Sequence, residues 1–173
     1  AFTAFTIEFG AYIGSSSKSI SASTGGSNAS KLHHFLISSN NTLDSTHIYI
    51  NDVSVPPFTR DRELVGGFQL SSMNKFAICN GLSINVPFET TWLGDFWVDD
   101  VYYDLSIEAN RRKFITAEKD SLDLGINGEN PTGSAPLIFF GSGHDAADWN
   151  AGTNLGAGGN FVATNSFVNN PIL

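Results

Sequence analysis

The sequence has a single cysteine, Cys79, which excludes an intrachain disulfide and a cysteine-based zinc site. Charge is also scarce. Asp, Glu, Lys and Arg make up 15% of the chain, well under the usual quarter. Only 9 Lys and Arg stand against 17 Asp and Glu, giving a formal net charge of −8. Without a basic footprint, no binding to nucleic acid or to an anionic lipid surface is expected. No apolar run approaches the roughly 20 residues of a membrane span. No repeat recurs at a period of about 20–50 residues, which removes solenoids and propellers.

What is present is a chain of 173 residues with 41% hydrophobic content, enough for one domain with a core of its own. Ser, Thr, Asn and Gly are abundant, the composition of short strands joined by hydrogen-bonding turns. The chain opens Ala1-Phe2-Thr3-Ala4-Phe5, without Met, and reads as a processed chain or a piece of a longer one.

Alternation of period two predicts a strand over residues 2–13, with Phe5, Ile7, Phe9 and Ala11 on one face. A turn is expected at 14–18, and over 19–30 a weaker, polar strand that runs into a loop at Gly25-Gly26. Residues 31–38 form the next strand, with Leu32, His34 and Leu36 opposite His33, Phe35 and Ile37. Residues 47–55 read as one strong strand. Short strands follow at 68–71, 75–79 and 82–86. The apolar segment 91–103 is expected to be a strand that Asp99-Asp100 ends or kinks. One helix of about two to three turns is expected after Ser106 as N-cap, with Glu108 in its first turn and Arg111, Arg112 and Lys113 in its last. Beyond residue 117 the texture becomes rich in Gly, Asn, Asp and Pro, with an apolar island at 136–140. The pattern predicts an all-β, antiparallel two-sheet sandwich over residues 1–117. An irregular C-terminal extension, 118–173, packs on the sandwich or on a neighbouring subunit.

Four stretches, in order, resemble the concanavalin A-like, laminin G-like jelly roll. They are Leu32-His33-His34-Phe35-Leu36-Ile37, Ile48-Tyr49-Ile50-Asn51-Asp52-Val53, Phe76-Ala77-Ile78-Cys79-Asn80-Gly81, and Gly94 with Val98-Asp99-Asp100-Val101-Tyr102-Tyr103-Asp104-Leu105-Ser106. The chain departs from the family with Leu32 where Trp is preferred and Asp52 where the hairpin prefers Gly. A narrower resemblance is to tailed-bacteriophage virion proteins that carry such a domain. It rests on Asp104-Leu105-Ser106-Ile107-Glu108-Ala109-Asn110-Arg111-Arg112-Lys113-Phe114-Ile115, Asp123-Leu124-Gly125, Asn130-Pro131-Thr132-Gly133-Ser134-Ala135-Pro136 and the Gly-rich run near Gly156. This resemblance implies a non-catalytic tail fibre, appendage or capsid decoration protein in an extracellular particle. Its partners would be other virion subunits, including copies of itself. The alternative is a lectin-like module that binds a host-surface glycan.

Glycosidases share the jelly-roll fold, so a carboxylate pair must be sought. Asp95 and Asp99 are the best local candidates, but four residues of regular strand separate them by about 13 Å, wider than the roughly 5–9.5 Å that glycoside hydrolysis uses. No enzyme is expected. His33 and His34 point to opposite faces of a strand and cannot share a metal. The preferred reading is one core-facing histidine with a backbone partner and one on the surface. His47 and His144 are isolated. No cofactor is expected; laminin G-like domains often bind calcium, for which Asp44, Asp52, Asp61, Asp145 and Asp148 are the loop candidates, but none forms a diagnostic ligand loop. Trp149 beside Asp148 and Asn150, with His144 nearby, is the candidate sugar platform, against the preferred reading of Trp149 as a loop anchor. Leu137, Phe139, Phe140, Phe161, Phe167 and Ile172 are the candidate subunit contacts, because large side chains in so irregular a segment must be buried against something.

Overall fold

The computed structural model describes residues 4–13, 16–25, 33–40, 45–55, 94–141 and 145–162, the first two segments by their backbone. The strands expected at 68–71, 75–79 and 82–86 lie outside the described residues. Within them the regular structure is mostly strand, arranged as small antiparallel sheets, with two short helices.

The alternating N-terminal segment forms β1 (Ala4–Ile13), paired along its whole length with β2 (Ser16–Gly25). The polar strand therefore begins at Ser16 and not at Ser19, in register Ile13↔Ser16. β3 (Phe35–Ser39) pairs with β4 (Thr46–Ile50), placing Leu36 opposite Tyr49 and Ile37 opposite Ile48. Those two pairs face opposite sides of the sheet. Leu36 and Tyr49 join the main core, whereas Ile48 gathers Ile37 and Val55 into a second cluster.

The segment 47–55 is not one strand. Asn51 and Asp52 both take positive φ, 50° and 61°, and fold it into a hairpin of β4 and β5 (Val53–Ser54) in register Ile50↔Val53. A two-residue loop with both φ positive is the turn whose twist matches a hairpin, and Asn and Asp tolerate that region better than other non-glycine residues.

β6 (Phe96–Val98) ends where Asp99-Asp100 was expected to end it. It pairs with β7 (Ile138–Phe140), the apolar island of the C-terminal segment. Residues from both sides of position 117 share one core: Leu36, Leu105, Phe114, Ile115, Leu124 and Phe139 are buried together, with Tyr49, Trp97 and Leu155 packed against them. Trp97 sits edge-on to Phe114 at 5.0 Å and donates from Nε1 to the Gly128 carbonyl at 2.9 Å. Gly128 has φ +77°, and a Cβ there would lie 2.7 Å from the Phe139 ring, so only glycine fits this approach.

The helix α1 (Glu108–Arg111) is a single turn, shorter than expected, and its N-cap is Ile107, which supplies no side-chain cap. Ser106 is not the cap because Asp104 captures it: Asp104 Oδ1 accepts from the Ser106 N–H at 2.9 Å and its hydroxyl at 2.6 Å. The Asp104 carbonyl then accepts from Ile107 N–H at 3.2 Å and Asn110 Nδ2 at 2.9 Å. An Asx turn thus does the work assigned to an N-cap.

A second helix, α2 (Ala146–Ala151), lies where a Gly-rich loop was expected. Asp145 caps it by accepting from Ala147 and Asp148 N–H, and the Asp148 carboxylate in turn accepts from the Asp145 N–H. Gly152, φ +68°, closes the other end. Together these residues form a capping box followed by a left-handed stop.

The free edge of β7 is covered by the segment that follows α2. Leu155 N–H donates to the Phe139 carbonyl, Ala157 to Pro136 and Gly158 to Leu137. Asn154, 9% exposed, anchors this cover. Its Oδ1 accepts from Phe139 N–H at 2.9 Å and Gly156 N–H at 3.0 Å; its Nδ2 donates to the Leu137 and Gly159 carbonyls, both at 2.9 Å. Side chains at 156 or 158 would place a Cβ 2.5 Å from the Pro136 oxygen or 2.6 Å from the Leu137 oxygen. The glycines there let two backbones meet, and the meeting blunts an exposed strand edge. Replacing Asn154 with Ala should lower stability by on the order of 2–4 kcal/mol in urea unfolding, since buried backbone groups lose their partners. A change below about 0.5 kcal/mol, the size of a neutral surface substitution, would show that the cover does not depend on Asn154.

Candidate functional site

The densest cluster of charge among the described residues lies where the β4–β5 turn meets α1. Asp52 leaves the turn and receives two guanidinium groups: Arg111 Nε on Oδ1 and Arg112 Nη2 on Oδ2, each at 2.7 Å. The Asp52 and Arg111 side chains are only 11% and 12% exposed. Arg111 also donates from Nη1 to the Leu105 and Ser106 carbonyls and lies over the Tyr49 ring at 4.4 Å. Arg112 Nη2 is shared with Glu108 at 2.8 Å. Two carboxylates and two guanidinium groups therefore balance. A half-buried carboxylate held by two charge-assisted bonds avoids the penalty of an unpaired charge. The hydrogen bond from Arg112 holds the Asp52 carboxyl below the usual carboxylate range; burial opposes this, and Arg111 adds to it.

The same turn holds the two histidines. Asn51 Oδ1 accepts from the His34 backbone N–H at 2.8 Å, and Asn51 N–H donates to the His34 carbonyl at 2.9 Å. Asn51 Nδ2 lies 3.0 Å from His33 Nδ1. Neither histidine is on the surface, contrary to the expectation for one of them: both are half-buried, and His33 Nε2 and His34 Nδ1 are buried without a partner. Burial pushes His34 down, with Asp52 opposing. His47 pairs with Asp104 at 3.2 Å.

Three of the four candidate sugar-platform residues, Trp149, Asp148 and Asn150, fall on α2. Trp149 stacks on Phe140 with ring centroids 4.6 Å apart and planes 28° apart, so one of its faces is covered. Asp148 serves the capping box, Asn150 lies on the exposed side of α2, and His144 lies outside the described residues. Of the expected subunit contacts, Phe139 and Phe140 are buried inside the chain, Ile138 between them and the half-buried Leu137, and Phe161 is half-buried beside Phe140. Phe167 and Ile172 lie outside the described residues.

Asp95 and Asp99 flank β6. Asp95 is exposed; Asp99 is half-buried, accepts from Asp100 N–H at 3.1 Å, and is pushed up chiefly by burial. Of the calcium candidates, Asp52 is taken by arginines and Asp145 and Asp148 by the helix start, while Asp44 and Asp61 lie outside the described residues. Among the described residues no group of three or more His, Cys, Asp or Glu could hold a metal ion, and no helix is long and apolar enough to cross a membrane.

The Asp52–Arg111–Arg112 brace was not foreseen. The basic residues at 111–113 read as complements to a helix dipole, and nothing local to them names a partner so distant in sequence. The available signal was Asn51-Asp52 as a turn inside an apolar run. No family model, curated protein or solved structure matches the chain.

Because the folded carboxyl of Asp52 is depressed, its contribution is fully present above the unfolded value and is lost as pH falls from about 3.9 towards the lower folded value. Replacing Asp52 with Asn should lower stability at neutral pH by on the order of 1–3 kcal/mol, towards the lower end where solvent screens the pair. The gap to wild type should close in urea unfolding as pH drops below about 4. A gap that is the same at all pH values would show that the charge of Asp52 is not what the arginines hold.

Proposed function

We propose that the chain is a non-catalytic structural component of a bacteriophage virion, a jelly-roll β-sandwich of the concanavalin A-like class that binds neighbouring capsid or tail subunits. The observation that carries this reading is where the phage-like residues fall. Asp104, Ser106 and Asn110 bond within the turn before α1, Arg111 bonds its carbonyls and Asp52, and Arg112 reaches Asp52 through Nη2. Leu105, Phe114 and Ile115 from the same segment fill the core. Lys113 Nζ donates to the Pro131 carbonyl at 3.0 Å, tying this segment to the phage-like stretch at 130–136. A signature spent on bracing and packing is what a building block needs, whereas an enzyme signature would leave acid–base groups facing a cleft.

The antiparallel strands support the sandwich class. Ile126 and Val162, in the segment expected to meet other subunits, are 81% and 92% exposed. Uncovered apolar side chains there suit a surface that is completed on assembly.

Immunogold labelling of purified particles of the virus that encodes the chain, with copy counting by mass spectrometry, tests the reading. Symmetric labelling at a fixed copy number is expected. Absence from purified particles contradicts it. Glycan-array binding that disappears in Trp149→Ala would favour the lectin reading instead.

A further inference from the structure

The turn around residues 125–128 stands out into solvent: Ile126 is 81% exposed, and Asn127 is exposed beside it. Elsewhere the fold uses asparagine amides as fasteners. Asn51, Asn110 and Asn154 each bond through the side chain to other parts of the structure. Among the described residues nothing holds the Asn127 amide; only its backbone N–H is bonded, to Glu129 Oε2 at 2.8 Å. Asn127 is also followed by a glycine. Gly128 has no side chain to shield its nitrogen, and its N–H reaches only the Gly125 carbonyl, at 3.4 Å, longer than an ordinary bond. A carboxamide and the next backbone nitrogen can close a five-membered ring, and such closure gains from proximity when neither group is tied elsewhere.

We propose that Asn127 is a self-modification site, where the side-chain amide converts spontaneously to isoaspartate and the lengthened backbone loosens the core contact of Trp97. Gly128 N attacks Asn127 Cγ. The new N–C bond replaces the Cγ–Nδ2 bond, and the amide leaves as ammonia, taking the proton of the Gly128 N–H. Water then adds to the cyclic imide. Opening at the Cγ carbonyl gives aspartate; opening at the backbone carbonyl gives isoaspartate, whose chain runs through Cβ and Cγ and is one methylene longer. The consequence follows from what Gly128 does. Its carbonyl accepts from Trp97 Nε1 at 2.9 Å, and Trp97 lies edge-on to Phe114. Its Cα is close-packed: a Cβ there would lie 2.7 Å from the Phe139 ring and 3.0 Å from Pro136 Cδ. A residue packed so tightly has no slack, so a methylene inserted just before it draws the carbonyl off the indole. The new carboxylate also neighbours Glu129, which accepts from the N–H of the same residue, and like charges add to the displacement.

The test ages the intact, folded chain at mildly alkaline pH and follows each asparagine by peptide mapping, with electron-transfer fragmentation to tell isoaspartate from aspartate. Trypsin separates Asn127 from Asn80-Gly81, the other such pair, which lies outside the described residues. Asn127 should convert at least about tenfold faster than Asn51, Asn110 or Asn154. The isoaspartyl chain should lose the hydrogen-bonded position of the Trp97 indole N–H in nitrogen-15 spectra. Gly128→Ala would clash with Phe139 and is no control. Asn127→Gln, whose longer amide closes a ring poorly, should keep the indole signal through ageing. Asn127→Asp carries the charge without the extra methylene and should disturb that signal less than isoaspartate does. Conversion of Asn127 no faster than Asn154, or only after unfolding in urea, overturns the site. An unchanged Trp97 signal in the isoaspartyl chain, or the same change in Asn127→Asp, overturns the effect on the core.

Discussion

A single carboxylate, Asp52, takes hydrogen bonds from two adjacent arginines on one helical turn, and the relation of the central hairpin to the C-terminal half depends on it. The helical turn is too short to stand by itself, since four residues cannot repay the cost of nucleating a helix. It persists because Asp104 organises its entry, Arg111 ties its flanking carbonyls and stacks on Tyr49, and Asp52 receives both cations. The apolar consequence lies directly after the turn: Phe114 and Ile115 are delivered into a core with Leu36 from β3 and Phe139 from β7. Charge neutralisation and burial therefore reinforce each other across segments distant in the chain.

The same economy of polar groups recurs at β7. A chain with few charges has abundant Asn and Gly instead, and at residues 154–159 it uses them to close a strand edge. Asn154 presents both halves of its amide to backbone groups in each direction, and the glycines permit the approach. These residues look like loop composition in the sequence, but they are part of the sheet's hydrogen bonding.

Strands were legible wherever alternation was clean. The alternation of Phe5, Ile7 and Phe9 marks β1, and the opposition of Leu36 to Ile37 was read correctly as two faces. β6 stops at Val98, before the aspartate pair, as the sequence suggested. Boundaries set by side-chain capture were not legible: Ser106 looked like a cap, but Asp104 two residues earlier binds it first. α2 was missed because its short apolar content hid a capping box whose second member is Asp148, not Glu. The brace joins residues about 60 apart, a distance over which no local pattern operates. Trp149 stacks on Phe140, a contact of the kind that its preferred reading as an anchor asks for.

The most direct test of the account is a double-mutant cycle between Asp52→Ala and Arg111→Met, measured by urea unfolding at neutral pH. If Asp52 and Arg111 hold the hairpin and α1 together, the two substitutions should be strongly non-additive, with a coupling energy of at least about 1 kcal/mol. Additivity within about 0.3–0.5 kcal/mol, as for distant independent sites, would contradict the claim that this ion pair joins the two halves of the core.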